Sequence, residues 1–186
     1  MLTSKNVYKT PYQLLIDSNI SALPVRVSEI CKRHGWTLTS YDGGKNVISS
    51  LGLSHLTSET DGFCLRNRDK YYILYDRRLS IQRQRFIVAH EIGHIALGHV
   101  DGSTYTRFNR PPAMPDSAHE LAANLYAARL VAPAPVLHAI HATSVDEIAV
   151  VCGLTHAAAA FCAEYSASDN ALLGAFDSYI RRILWQ

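Results

Sequence analysis

Between residues 80 and 98 the chain carries its clearest helical pattern of apolar and polar positions. Val88, Ile92 and Ile95 recur at intervals of four and three residues, which is the spacing of one buried face of an α-helix. Ser80 stands where an N-cap is expected, and Gly98 stands where a helix commonly stops. The pattern therefore predicts an amphipathic helix over residues 81–97.

A second strong helix is predicted over residues 116–131, because Pro133 and Pro135 follow it. A loop over residues 101–115 separates the two helices and is long enough to border a cleft. Weaker patterns predict short helices at residues 12–17, 24–34 and 47–51, a strand at 36–41, and a β-hairpin with strands at 62–66 and 70–75. The hairpin would place a strand edge before the first helix, where an extended peptide could add itself to the sheet.

Two short helices joined at Gly153 are predicted towards the end of the chain. The first opens at Ser144 with a capping box to Glu147, and the second covers residues 155–165. The pair resembles a helix-turn-helix, but residues 130–180 contain no Lys or Arg and five acidic side chains. Since Lys and Arg supply most of the affinity for DNA phosphates, we expect no direct nucleic acid binding here. We expect the segment to pack against the core or to dock a partner, and a last helix to cover residues 170–184.

Composition narrows the class of protein. The chain has 186 residues, 48% of them hydrophobic, and a formal net charge of +2, which suits one domain with at most a small appendage. No run approaches the roughly 18 apolar residues of a membrane span. The first residues lack the apolar region of a signal peptide, so we expect a cytoplasmic protein. Four scattered cysteines, none in a C-x-x-C pair, are expected to be buried thiols (Cys31, Cys64, Cys152 and Cys162).

Basic side chains concentrate in and after the predicted hairpin. Between Arg66 and Arg85 there are seven basic and two acidic residues, which gives a local charge of +5. We interpret this stretch as a solvated hairpin, and a docking surface for an acidic partner is the alternative.

The motif His90-Glu91-Ile92-Gly93-His94 gives the first helix its chemistry. His90 and His94 are one helical turn apart, so their rings leave the same face and can reach one tetrahedral metal ion. Glu91 flanks that face, where a carboxylate can take a proton from a water molecule that the metal activates. The pattern predicts a Zn²⁺ site with His90 and His94 as ligands and Glu91 as the catalytic base.

Two histidines do not complete a zinc site, and the spacing leaves the third ligand open. Glu120 lies in the first turn of the second helix, but Ser117 and Glu120 also fit a capping box equally well. Asp116 and His119 are rival ligands. Asn124, one turn beyond Glu120, could hydrogen-bond a ligand from outside the first coordination shell. We interpret His99, five residues after His94, as structural.

A resemblance to a known family adds to this picture. RQRFIVAHEIGHIALGH, followed by ELAANLYAARLVAP, resembles the ImmA/IrrE metallopeptidases, and the likeness extends over roughly residues 20–165. It implies that His90, His94 and Glu120 bind zinc and that Glu91 is the catalytic base. The sequence departs from the family pattern at Tyr126, where Phe is usual, and at residues 131–132, where Leu-Met is usual.

The elements and the resemblance together predict an α+β protein. A small antiparallel sheet would back two zincin-type helices in a metallopeptidase core over residues 1–132, followed by a helical, helix-turn-helix-like segment over residues 133–186. By resemblance, the protein is a zinc endopeptidase that cuts a helix-turn-helix transcriptional repressor of mobile-element or stress-response genes. The alternative is a zinc-stabilised module that binds a regulator or toxin without cleaving it. Candidates for stabilising the oxyanion are His119, Tyr105 and Tyr126.

Overall fold

The computed structural model describes residues 4–100 and 117–166. Its elements follow one another as α1 (Ser4–Asp17), α2 (Val27–Arg33), β1 (Thr37–Ser40), α3 (Lys45–Ser50), α4 (Leu56–Glu59), β2 (Gly62–Asn67), β3 (Lys70–Tyr75), α5 (Ile81–Ala96), α6 (Ser117–Val131), α7 (Ala134–Ala139), α8 (Val145–Cys152) and α9 (His156–Ser166). The α+β class is confirmed. The predicted loop at 101–115 and the predicted helix at 170–184 lie outside the described residues.

Helix α5 forms as its sequence predicts. The Ser80 side chain accepts a hydrogen bond from the Arg83 backbone N–H, and Gly98, just past the end of the helix, has a left-handed φ of +73°. The first turn is exposed, whereas every residue from Ile87 to Ile95 is buried. The half of the helix that carries the two histidines is therefore part of the core.

The three strands form a mixed sheet in the order β1-β3-β2. Strands β2 and β3 pair antiparallel, which confirms the hairpin, and Arg68 takes a φ of 55° in its two-residue turn. Strand β1 pairs with β3 in parallel, so the sheet is not wholly antiparallel as predicted. The difference arises because the segment containing α3 and α4 is long enough to cross the sheet, which a parallel pairing requires.

Strand β3 is the central strand, which corrects the expected position of the free edge. The strand immediately before α5 has neighbours on both sides, and the edges of the three-stranded sheet belong to β1 and β2. Strand β2 is the edge strand that lies against α5, where the Cys64 thiol donates to the Glu91 backbone carbonyl (Sγ–O 3.6 Å). A peptide that extends the sheet near the histidines would therefore pair with β2 rather than β3.

Apolar side chains cover both faces of the sheet. On one face, Cys64 and Ile73 join Val88 and Ile92 of α5 in the main core cluster. On the other face, Phe63, Leu65 and Leu74 form a second cluster with Ile48 of α3 and Leu56 of α4. The sheet is thus the middle of three layers and holds α5 in a fixed position.

The helices after residue 132 continue the main core. The capping box of α8 is present as predicted, since Ser144 accepts from the Glu147 backbone and the Glu147 carboxylate accepts from the Ser144 backbone. Gly153 ends α8 in the left-handed conformation. Ile148 and several neighbours belong to the same cluster as the α5 side chains, and the division of the chain at residue 132 stays a prediction.

Helix α7 is a difference from the sequence-based prediction, in which Pro133 and Pro135 only end a helix. Pro135 lies in the first turn of α7, where the N–H groups of a helix have no partner within it, so its missing donor costs little. The two prolines therefore end α6 and begin a new short helix.

Burial sets the chemistry of the cysteines. All four are free thiols and all four are buried, as predicted. Burial raises the pKa of the Cys31, Cys152 and Cys162 thiols to about 12. These three thiols are therefore protonated at neutral pH.

Within the described part of the chain, no single helix has both the length and the apolar character to cross a membrane, although the bent pair of α8 and α9 meets both criteria jointly.

Candidate metal centre

Helix α5 brings the imidazoles of His90 and His94 together. Their Nε2 atoms are 3.0 Å apart, and both side chains are almost completely buried. The four-residue spacing produces this arrangement because it stacks the two rings one turn apart on the same face.

Helix α6 supplies the third group of the cluster, Glu120. One carboxylate oxygen lies 3.3 Å from His90 Nε2 and the other lies 3.5 Å from His94 Nε2. Ligand atoms at 2.0–2.1 Å from a tetrahedral ion stand about 3.3 Å from one another, so the three distances fit a tetrahedral metal site. Two imidazole nitrogens and a carboxylate are also a donor set that catalytic zinc uses, with one position left for water.

The geometry bears on the alternatives for the third ligand. The Glu120 carboxylate points at the two histidines, as a ligand would, and the Ser117 side chain and Asp116 lie outside the residues described. His119 is exposed and stacks on His99, with ring centroids 4.2 Å apart. Among the described residues, the grouping of potential ligand atoms consists of His90, His94 and Glu120.

The charge of Glu120 is fixed by its neighbours. Partial burial raises the pKa of its carboxyl group, but the neighbouring imidazoles of His90 and His94 outweigh burial and lower it to about 2. The carboxylate is therefore ionised at any pH near neutrality. An anion is thus already present between the two imidazoles, as a cation site requires.

Asn124 fixes the tautomer of His90. Its side-chain oxygen lies 2.8 Å from His90 Nδ1 and must accept a hydrogen bond from that nitrogen. A neutral imidazole that is protonated on Nδ1 has its lone pair on Nε2, the atom that faces Glu120. This contact is the one that the spacing of Asn124 from Glu120 predicts for a side chain that supports a ligand.

His99 contacts His94 at the corresponding ring nitrogen, which the sequence did not reveal. The two Nδ1 atoms are 3.0 Å apart. The left-handed turn at Gly98 brings His99 back to the helix end, where its backbone N–H donates to the His94 carbonyl (2.9 Å). The signal that could have revealed this is the Gly-His pair directly after the helix, since a C-terminal glycine folds the next residue back over the last turn.

Gly93 lets the two helices approach closely enough for Glu120 to reach the histidines. A Cβ atom at this position would lie 3.0 Å from the Ala123 carbonyl oxygen and 3.2 Å from the Tyr126 Cβ. Both distances are tighter than ordinary packing, so α6 rests directly on the α5 backbone here. The glycine inside the motif is a packing requirement, in addition to the metal-ligand spacing.

Two further groups of the predicted site lie in this region. Glu91 is completely buried and follows His90 directly, and its backbone carbonyl accepts from the Cys64 thiol of β2. Tyr126 is also buried, and no described residue makes a hydrogen bond with its hydroxyl. Burial raises the pKa of that hydroxyl, so Tyr126 keeps its proton and stays a candidate donor. Tyr105 lies outside the described residues.

Most of the basic cluster is engaged within the protein. Four of its arginines form ion pairs with nearby carboxylates: Arg66 with Asp69, Arg77 with Asp42, Arg78 with Asp76, and Arg83 with Asp61. A fifth, Arg85, donates to the Gly153 carbonyl. This pairing favours the interpretation of a solvated hairpin over that of a docking surface for an acidic partner.

Comparison with known families agrees with this geometry. A family model described as the IrrE N-terminal-like domain, Peptidase_M78, matches residues 31–172, which include both ligand helices. The chain belongs to the ImmA/IrrE family. The family is one of metallopeptidases, so a metal ion and a protein substrate follow for the ImmA/IrrE domain in general terms. No curated protein matches the chain.

Proposed function

We propose that this protein is a zinc-dependent endopeptidase, and that its substrate is a helix-turn-helix transcriptional repressor. The observation that carries the proposal is the His90–His94–Glu120 cluster, whose atoms have the spacing of zinc ligands in a chain of the ImmA/IrrE family. Cleavage would relieve repression of mobile-element or stress-response genes.

In this proposal, His90, His94 and Glu120 hold the metal through two Nε2 atoms and a carboxylate. Bound there, zinc would act as a Lewis acid and would lower the pKa of a water molecule towards neutrality. Asn124 contacts His90 at Nδ1 and His99 contacts His94 at Nδ1, so each holds the orientation of its ring from the side opposite the metal-binding Nε2 atom. The surrounding core keeps this arrangement rigid before substrate binds.

Glu91 is the proton carrier. It follows His90 directly on α5, so its carboxylate can accept a proton from the attacking water and deliver it to the amine nitrogen that leaves. Burial excludes bulk water, which would otherwise compete for that proton. Tyr126 and His119 are the described candidates for donating a hydrogen bond to the developing oxyanion.

The charge of the C-terminal helices supports a repressor as the substrate. Asp146, Glu147 and Glu164 are exposed, and residues 130–180 contain no Lys or Arg to balance them. Such a surface complements the basic, DNA-contacting face of a repressor, and duplex DNA would repel it. Repressor bound to its operator would hide that face and would be cut more slowly.

The test incubates the purified protein and zinc with each helix-turn-helix protein that a neighbouring gene is found to encode, with and without operator DNA. Gel and mass analysis should show one discrete cut that operator DNA slows and a chelator abolishes. Glu91→Gln should not cut, whereas Glu29→Gln, a matched change of an exposed glutamate, should cut normally.

Three results would contradict the proposal. Zinc binding without cleavage by wild type under any condition would favour the non-cleaving binding module. Salt-sensitive binding of duplex DNA with the repressor left intact would favour a DNA-binding regulator. Normal zinc content in His90→Ala, His94→Ala or Glu120→Ala would remove that residue from the ligand set.

A further inference from the structure

A cavity of about 210 Å³ lies beside the candidate metal centre, between α5, α6 and α9. Phe86 and Ile87 of α5 form one wall, Ala157 and Phe161 of α9 form the opposite wall, and Asn124 of α6 lies on the side of the histidines. The roles proposed above assign no purpose to this cavity. One of its walls comes from α9, which belongs to the helix-turn-helix-like segment.

The cavity continues the helix face that carries the metal ligands. Ile87 precedes His90 by three residues and Phe86 precedes it by four, so both project from the same side of α5, one turn before the first histidine. Asn124 joins the two regions, because its side-chain oxygen contacts His90 and its side chain also lines the cavity. The cavity and the candidate metal centre therefore adjoin each other through the Asn124 side chain.

The cavity wall is mainly apolar. Phe86 and Phe161 meet edge to face, with ring centroids 6.3 Å apart, and both are only partly buried. Arg83, the one charged side chain among the described lining residues, donates to Asp61 through its Nε atom (2.7 Å). An apolar guest would gain by covering these rings, whereas a charged guest would find its potential partner already paired.

We propose that this cavity receives a large apolar side chain, of the size of leucine or phenylalanine, from a substrate residue close to the cleaved bond. The inference rests on the proposed function and makes it more specific. Helix α9 is then part of the substrate-binding surface, and Phe161 and Ala157 limit the size of the side chain that enters.

Two variants on α9 isolate this role. Ala157 lines the cavity and is exposed, so Ala157→Phe would fill the space without disturbing the core. Ala160 is also exposed, lies three residues further on the same helix, and is not part of the cavity wall, so Ala160→Phe is the matched control. Zinc content and melting temperature of both variants should equal those of wild type.

Two measurements test the proposal. A randomised peptide library is digested by wild type, and mass analysis reads the residues on each side of every cut. Peptides that carry leucine, phenylalanine or glycine at the preferred position are then titrated against zinc-loaded Glu91→Gln protein. We expect one position beside the cut to be strongly apolar. Glycine at that position should weaken binding and kcat/KM on the order of 10–100-fold, and Ala157→Phe should remove most of that preference.

The binding measurement separates this inference from the proposed function. If wild type cleaves but shows no apolar preference, or if Ala157→Phe keeps the leucine preference, the cavity is not a substrate pocket and the peptidase proposal stands. If nothing is cleaved, the peptidase proposal fails. Titration of the Glu91→Gln protein with peptides that carry leucine or glycine at each position in turn then still decides whether the cavity binds an apolar side chain. Equal affinities for the leucine and glycine peptides would overturn the inference in either case.

Discussion

Replacement of Asn124 by alanine should weaken zinc binding although Asn124 is not itself a ligand. The change removes the hydrogen bond of 2.8 Å that holds a proton on His90 Nδ1. Without that acceptor the ring can place its proton on Nε2 instead, and a protonated nitrogen cannot bind a metal.

The size of the effect follows from this contact. Loss of such a supporting partner costs about 10–100-fold in metal affinity, which is roughly 1.4–2.7 kcal/mol. The bond is short and the ring is buried, so we expect a loss on the order of 30-fold. Asn124→Asp keeps an acceptor oxygen at the same place and should bind zinc at least as tightly as wild type.

Competition with a chromophoric zinc chelator measures the dissociation constants directly. Asn46→Ala removes an exposed asparagine on α3 and controls for the loss of an amide away from the site. If Asn124→Ala and Asn46→Ala both bind zinc with the affinity of wild type, then His90 needs no hydrogen-bond acceptor at Nδ1 to keep Nε2 unprotonated. The tautomer argument would then be refuted.

Three further changes test separate parts of the structure. Glu91→Gln should retain full zinc content by metal analysis while cleavage falls about 10²–10⁴-fold; cleavage at the wild-type rate would contradict its role as base. Gly93→Val should lower the free energy of unfolding by about 1–3 kcal/mol in denaturant titrations and reduce zinc content, because its side chain would press on Ala123 and Tyr126. Hydrogen bonds to the cap of α8 lower the pKa of Glu147 below 4.5, so its stabilising effect is present above pH 4.5 and declines as the pH falls. Melting curves of Glu147→Gln should therefore lie below those of wild type at pH 7 and converge with them in acid, and a pH-independent difference would contradict the linkage.

Local signals in the sequence were sufficient for the helix that carries the histidines. Ser80, the apolar period and Gly98 each specify a part of α5, and the four-residue spacing places His90 and His94 on one face. Asn124 was also predictable, because it lies one turn from Glu120. These features depend on residues that are close in sequence, and helical geometry relates them directly.

Features that depend on distant residues were not predictable in the same way. Glu120 could equally well cap its own helix, and only the packing of α6 on α5, or the family resemblance, distinguishes the two roles. The parallel pairing of β1 with β3 depends on the path of the intervening chain and on no pattern within either strand. The cavity beside Asn124 needs three helices from separate parts of the chain, so no single motif indicates it.

The rate at which the buried thiols are alkylated would measure how often the native protein opens. Alkylating reagents attack accessible thiolates. Burial raises the thiol pKa, so little thiolate forms, and it also blocks the reagent. Modification of the native protein must therefore wait for a transient opening. Cys162 of α9 faces the Ala128 carbonyl of α6 (3.9 Å), whereas Cys31 lies in α2. If α9 detaches by itself, Cys162 will be alkylated before Cys31, and equal rates will mean that the domain opens only as a whole.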